Sequence, residues 1–147
     1  MGLDMYLQRR TYIRQWNETT NKPEIVGHLE IEGIDPTKAI YVIEEVGVWR
    51  KANAIHRWFV EHVQQGQDDC RAYSVEIEHL QALLALVETV LEHPELAAQL
   101  LPTQTGFFFG STAYDQMYFD DLRETVTILG WALNGSPDAE FTYQSSW

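Results

Sequence analysis

Ile40-Tyr-Val-Ile-Glu-Glu-Val-Gly-Val48 is the stretch on which the fold turns. Its β-branched and aromatic residues suit a pleated, half-buried ladder, so a strand is expected. The alternative is one continuous helix from Pro36, because Asp35-Pro36 can cap a short helical turn. Upstream, Leu3, Met5 and Leu7 alternate with Asp4, Tyr6 and Gln8, and Tyr12 and Ile13 follow, which predicts a strand of about ten residues. Asn17 to Pro23 is a turn or exposed loop, and Ile25 to Ile31 alternates again as a second strand ending at Gly33. Downstream, a helix is expected from about Arg50 to Gln64, closed near Gly66, with Ala52, Ile55, Phe59 and Val63 as its core stripe. Residues 67–71 are a loop. Ser74 is the expected N-cap of a second helix reaching Glu92, with Ile77, Leu80, Leu84, Val87 and Leu91 on one face. Pro94 stops it, and Glu95 to Leu101 forms a short helix. Pro102 to Thr112 is irregular. A third long helix follows Ser111 or Thr112 and reaches about Asn134, with Tyr114, Tyr118, Leu122, Thr125, Leu129 and Leu133 inward. Gly135-Ser-Pro137 breaks it, and Phe141 to Trp147 adds a final strand. The simplest layering is a single α+β domain over residues 1–147, with a small, mostly antiparallel sheet carrying three long helices on one face.

A chain of 147 residues with 45% hydrophobic side chains can bury one core, and it contains no repeat or low-complexity linker. A single cysteine excludes a disulfide framework and a cysteine-cluster zinc site, and suggests a cytoplasmic setting. Apolar runs are too short for a bilayer span, and the first residues lack the basic and apolar regions of a signal peptide. Ten basic against 22 acidic residues give a net charge of −12. The imbalance is local: residues 1–57 hold eight of each sign, whereas residues 58–147 hold only Arg71 and Arg123 against 14 acids. Such a surface repels nucleic-acid phosphates and anionic membranes, so neither is expected as a direct partner. It either keeps the protein soluble or meets a basic partner, such as the nucleic-acid channel of another protein.

Two segments carry more polar and aromatic chemistry than a core requires. In Trp49 to Trp58, helical spacing puts Asn53, His56 and, just beyond, Val60 within about 40° of Trp49, with Arg50 and Arg57 together further round. Guanidinium groups offer forked donors to phosphate or carboxylate, and tryptophan can stack on a ring. In Leu101 to Asp115, three consecutive phenylalanines stand between Gly106 and Gly110 just before a helix N-terminus, where free N–H groups attract anions. The sequence there lacks the lysine of a P-loop. Together these segments predict a cleft for a nucleotide-like anionic ligand. Trp49, Arg50, Asn53, His56 and Arg57 form one wall, and Gln104, Gly106, Gly110, Ser111 and Tyr114 the other, with Asp115 beside the arginines. The opposing reading is a buried hydrogen-bond network that fixes helix to sheet.

No catalytic constellation is found. There is no Gly-x-Ser-x-Gly elbow, and Cys70 follows two aspartates that disfavour its thiolate. The histidines show no metal spacing, and no metal or cofactor is expected. An enzyme would have to use His56 as acid or base with Asp115 as its partner. On the third helix Met117, Ile128 and Trp131 form an apolar stripe beside Asp120, Asp121 and Glu124. That pattern resembles a partner interface, and a homodimer is a reasonable use of it. The competing expectation is that the C-terminal strand folds back to cover the stripe.

Four blocks taken together, Met1 to Leu7, Trp49 to Val60, Leu101 to Leu122 and Tyr143-Gln-Ser-Ser-Trp147, resemble a family of small uncharacterised proteins of phages, prophages and bacteria. The resemblance spans nearly the whole chain. It implies a setting and no site residue: an accessory protein in a bacterial host cytoplasm, of the kind that counters host defence by blocking a nuclease complex or sequestering a nucleotide signal.

Overall fold

The computed structural model describes residues 2–147, and Tyr41–Arg50 in it is a strand. In chain order the strands are β1 (Asp4–Tyr12), β2 (Arg14–Asn17), β3 (Lys22–Ile25), β4 (Tyr41–Arg50), β5 (Tyr73–Val75) and β6 (Glu140–Ser146). Four of them form an antiparallel sheet ordered β4-β1-β6-β5. β2 and β3 make a separate hairpin. Ile13 splices it to the end of the β1–β4 ladder, donating to the Ile40 carbonyl at 3.0 Å and accepting from Val26 N–H at 2.8 Å. The helices are α1 (Asn53–His62), α2 (Ile77–Glu92), the short α3 (Ala97–Leu100) and α4 (Gln116–Leu133). The architecture is α+β, with three long helices and one short one.

Alternation decides which face of the sheet is covered. Leu3, Met5 and Leu7 of the β1 segment, Trp49 of β4, and Phe141 and Tyr143 of β6 are buried, and they share one core with Phe59, Leu80, Val87, Leu122 and Leu129 of the helices. The opposite face carries Gln8, Arg10, Val48 and Gln144 in solvent. At Gly47 the helix layer meets the sheet with no room for a side chain, since a Cβ there would overlap Ile128 of α4. Next to it the β1–β4 register shifts: Leu7 faces Gly47 but Gln8 faces Glu45, so Val46 is an extra, bulged residue.

Several boundaries differ from expectation, each for a local reason. The second strand does not run from Ile25 to Ile31. Asn17 closes a tight turn by accepting from Thr19 and Thr20 N–H at 2.8 and 3.2 Å, so pairing starts at Lys22 and stops at Ile25. Helix α1 begins at Asn53, because β4 continues through Arg50 and Lys51 turns the chain in a left-handed conformation (φ 58°). Ser74 lies in β5 and does not cap α2. The cap is Glu76, in a reciprocal box with His79, whose Nδ1 accepts from Glu76 N–H at 3.2 Å. The fully buried face of α2 is Leu80, Leu83, Val87 and Val90, while Ile77, Leu84 and Leu91 are only partly covered. Helix α4 begins at Gln116, capped by Asp115, which accepts from Tyr118 N–H at 3.1 Å.

Candidate functional site

The two polar-aromatic segments lie against each other, joined by Asn53 and Arg57, while Arg50 and Phe107 stay exposed. Asn53, buried in the first turn of α1, donates to the carbonyls of Phe109 (3.0 Å) and Ser111 (2.9 Å) and accepts from Gln104 N–H (3.0 Å). Arg57 donates to the Thr103 carbonyl (3.1 Å) and to Glu61 (2.7 Å). Trp49 is buried, and its indole N–H donates to Thr125 of α4 at 2.9 Å. Tyr114 stands outside the helix and accepts from Thr103 N–H at 3.3 Å. Gly106 accepts from Phe109 N–H at 3.2 Å in the turn that drives the Phe109 ring inward. Asn53 and Arg57 therefore hold residues 103–111 to α1, while Trp49 ties β4 to α4; Trp49, Asn53 and His56 are buried and do not form an open wall.

His56 has no solvent exposure and lies between two partners that sequence reasoning missed. The Asp68 carboxylate accepts from Nε2–H at 3.0 Å, and Nδ1 is hydrogen-bonded with the Tyr143 hydroxyl at 2.8 Å. Asp68 also accepts from Gln104 Nε2 (3.4 Å) and Trp147 Nε1 (2.9 Å). One carboxylate thus ties together α1, the 103–111 loop and the C-terminus. Burial, with the charges of Asp68 and Cys70 beyond it, holds the Tyr143 hydroxyl well above its ordinary range. The carboxylate on His56 is Asp68, not Asp115, which is occupied as the α4 cap. No sequence spacing links positions 56, 68 and 143; only the central place of β6 brings them together.

One opening remains between the segments. Arg50, Lys51, Gly110, Ser111, Asp115 and Asp121 line a cavity of about 60 Å³. That is the volume of roughly two water molecules. A nucleotide is several times larger than this space. Burial raises the Asp121 carboxyl to about 6, helped by the neighbouring charges of Glu124, Asp120 and Asp115. Among the described residues no cluster of three or more His, Cys, Asp or Glu side chains is placed to hold a metal ion.

The α4 stripe divides in two. Ile128 is buried against the sheet, contrary to its expected place on an interface. Met117 and Trp131 stay 69% and 67% exposed. Helical spacing puts Met117, Asp120, Glu124, Thr127 and Trp131 in one strip about 20 Å long. Phe141 and Tyr143 enter the core and Trp147 bonds Asp68, so the C-terminal strand does not cover this strip. The layer around it is acidic. Helix α2 has no lysine or arginine and exposes Glu78, Glu88 and Glu92, while Arg123, the one such residue of α4, is paired with Asp120 at 2.8 Å.

No family model, no curated protein and no solved structure matches this chain. Among the described residues no helix is long and apolar enough to cross a membrane.

Proposed function

We propose that this chain is a binding protein that docks on a basic surface of a partner protein through the exposed strip of α4. One observation carries the reading: two large apolar side chains, Met117 and Trp131, stand in solvent at the two ends of a helical strip that carries Asp120 and Glu124. An exposed tryptophan is the residue type that most often anchors an interface, and surrounding charge steers a partner of opposite sign. The resemblance to phage and prophage proteins supplies the partner class: a nuclease or other defence protein of the host whose nucleic-acid surface is basic. The acidic helix layer would then stand in for nucleic acid. A nucleotide-binding role has less support, because Trp49, Asn53 and His56 already have protein partners and the space beside them is small.

Affinity capture from bacterial lysate over a salt series identifies the partner, which is then purified for binding measurements. Trp131→Ala is expected to weaken binding by about 30-fold, the loss of roughly 2 kcal/mol typical of an anchor residue. The double variant Asp120→Lys/Glu124→Lys is expected to slow association and flatten its salt dependence. Wild-type affinity in both variants would remove α4 from the interface. A nucleotide that raised the melting temperature of the wild type but not of Arg57→Ala would favour the cleft instead.

A further inference from the structure

The sheet has a second unused surface, its β4 edge. β4 is an outer strand, and among the described residues nothing pairs with its free side. Proteins usually blunt such an edge with short length, charged side chains, proline, a bulge or a covering element. β4 is ten residues long and has neither proline nor lysine; it carries Glu44, Glu45 and Arg50 and one bulge, at Val46, and no element covers its free side among the described residues. Tyr41, Ile43 and Val48, all on the solvent face of the sheet, are exposed.

We infer that β4 pairs antiparallel with β4 of a second copy, joining two four-stranded sheets into one of eight. Both ends of the strand carry exposed apolar side chains. Ile40 directly precedes it, and Phe107 and Phe108 lie beside its end. There Leu3 accepts from Lys51 N–H at 2.8 Å and donates to the Phe108 carbonyl at 3.5 Å, so Phe108 continues the line of β4. A two-fold antiparallel pairing sets the start of one strand against the end of the other, and each apolar end covers its opposite.

The bulge then selects the register. Residues directly opposite in a ladder point to the same face, so a regular strand can pair with itself only between positions of equal parity. Val46 shifts the parity of β4. Val42, Glu44, Gly47 and Trp49 face inward, and Tyr41, Ile43, Glu45, Val48 and Arg50 face outward. The pairing that uses all ten residues also matches the faces. It sets Ile43 against Val48 of the second copy and Tyr41 against Arg50 of the second copy, an apolar pair and a cation–π pair. Glu44 meets Gly47 and Glu45 meets Val46, so no like charges are directly opposite, and the two Glu45 side chains lie diagonally across the two-fold axis, a repulsion that salt screens.

Sedimentation equilibrium from low micromolar to several hundred micromolar tests this on the full chain. A dimer is expected that tightens with added salt, since each copy carries a charge of −12. Salt weakens docking on α4, so the two surfaces are separable. Ile43→Lys is expected to loosen the dimer by at least about tenfold. Combining I43K with V48E in one chain should restore it, because the register sets the new opposite charges against each other twice. A monomer at every concentration, a dimer indifferent to I43K, or the absence of rescue by V48E overturns the inference. Circular dichroism of each variant shows that the fold persists.

Discussion

Arg9 occupies an inward position of β1, where the alternation of Leu3, Met5 and Leu7 calls for another apolar side chain. Its guanidinium makes a forked pair with Glu44 at 2.9 and 3.0 Å and donates to the carbonyls of Trp131 and Ala132 at 2.8 and 3.1 Å. It therefore closes the C-terminus of α4, where carbonyls lack helical partners and the dipole favours a cation. Arg9→Ala is expected to cost about 2–3 kcal/mol in a urea melt, mostly from helix-end carbonyls left bare. Asp121 behaves in the opposite sense. An acid raised to about 6 by burial holds its proton more tightly in the folded state. Its ionisation therefore opposes folding at neutral pH, and that penalty fades as pH falls through about 6 towards its unfolded value near 4. Asp121→Asn is expected to add about 1 kcal/mol at neutral pH, after allowance for its partial exposure, and almost nothing near pH 4. Melts at the two pH values check this.

Helix α1 and the 103–111 loop stand or fall as one element, because Asn53 supplies the loop with three hydrogen bonds. Asn53→Ala leaves buried backbone groups without partners and is expected to cost about 2–3 kcal/mol. Amide exchange should accelerate in residues 103–111 and stay unchanged in β1 and β6. The same element shows what a sequence can disclose. Local pattern was enough to give three long helices, since period and turn residues act over a few positions, whereas the contact of Asn53 with Gln104, Phe109 and Ser111 is made by tertiary closure. The strand at 41–50 and the last strand were legible for the same reason. Local pattern gave no sign that Asn53 and His56 would be fully bonded, because a filled network and an open cleft call for the same residue types. Asp68 lay in a stretch that looked like a plain loop, and its pairing with His56 depends on tertiary closure. Helix starts moved by two to four residues where a strand ran on or a cap lay further along than the first serine. Ile128 was misplaced because its burial depends on Gly47, 81 positions away in the chain.

At the scale of the molecule, apolar side chains are exposed in two settings: Met117 and Trp131 among the carboxylates of the helix layer, and a second group around the β2–β3 arm and the start of β4. Carboxylates dominate α2 and α4, while the β2–β3 arm and the start of β4 expose Trp16, Val26, Ile31, Ile34 and Ile40. The two proposed contacts therefore answer ionic strength with opposite signs, and a single salt titration of partner binding and of self-association reads both. The sheet order has a consequence for how the protein comes into being. β6 lies between β1 and β5, yet it is made after every other strand of the sheet. During synthesis β1 can find β4, and α2 can find α4, but one whole side of β1 waits bare until residues 140–146 leave the ribosome. Closure is thus a late event that joins sequence-distant strands, the slow kind of step. A nascent chain paused before Glu140 would present its open ladder to chaperones, proteases and neighbouring nascent chains.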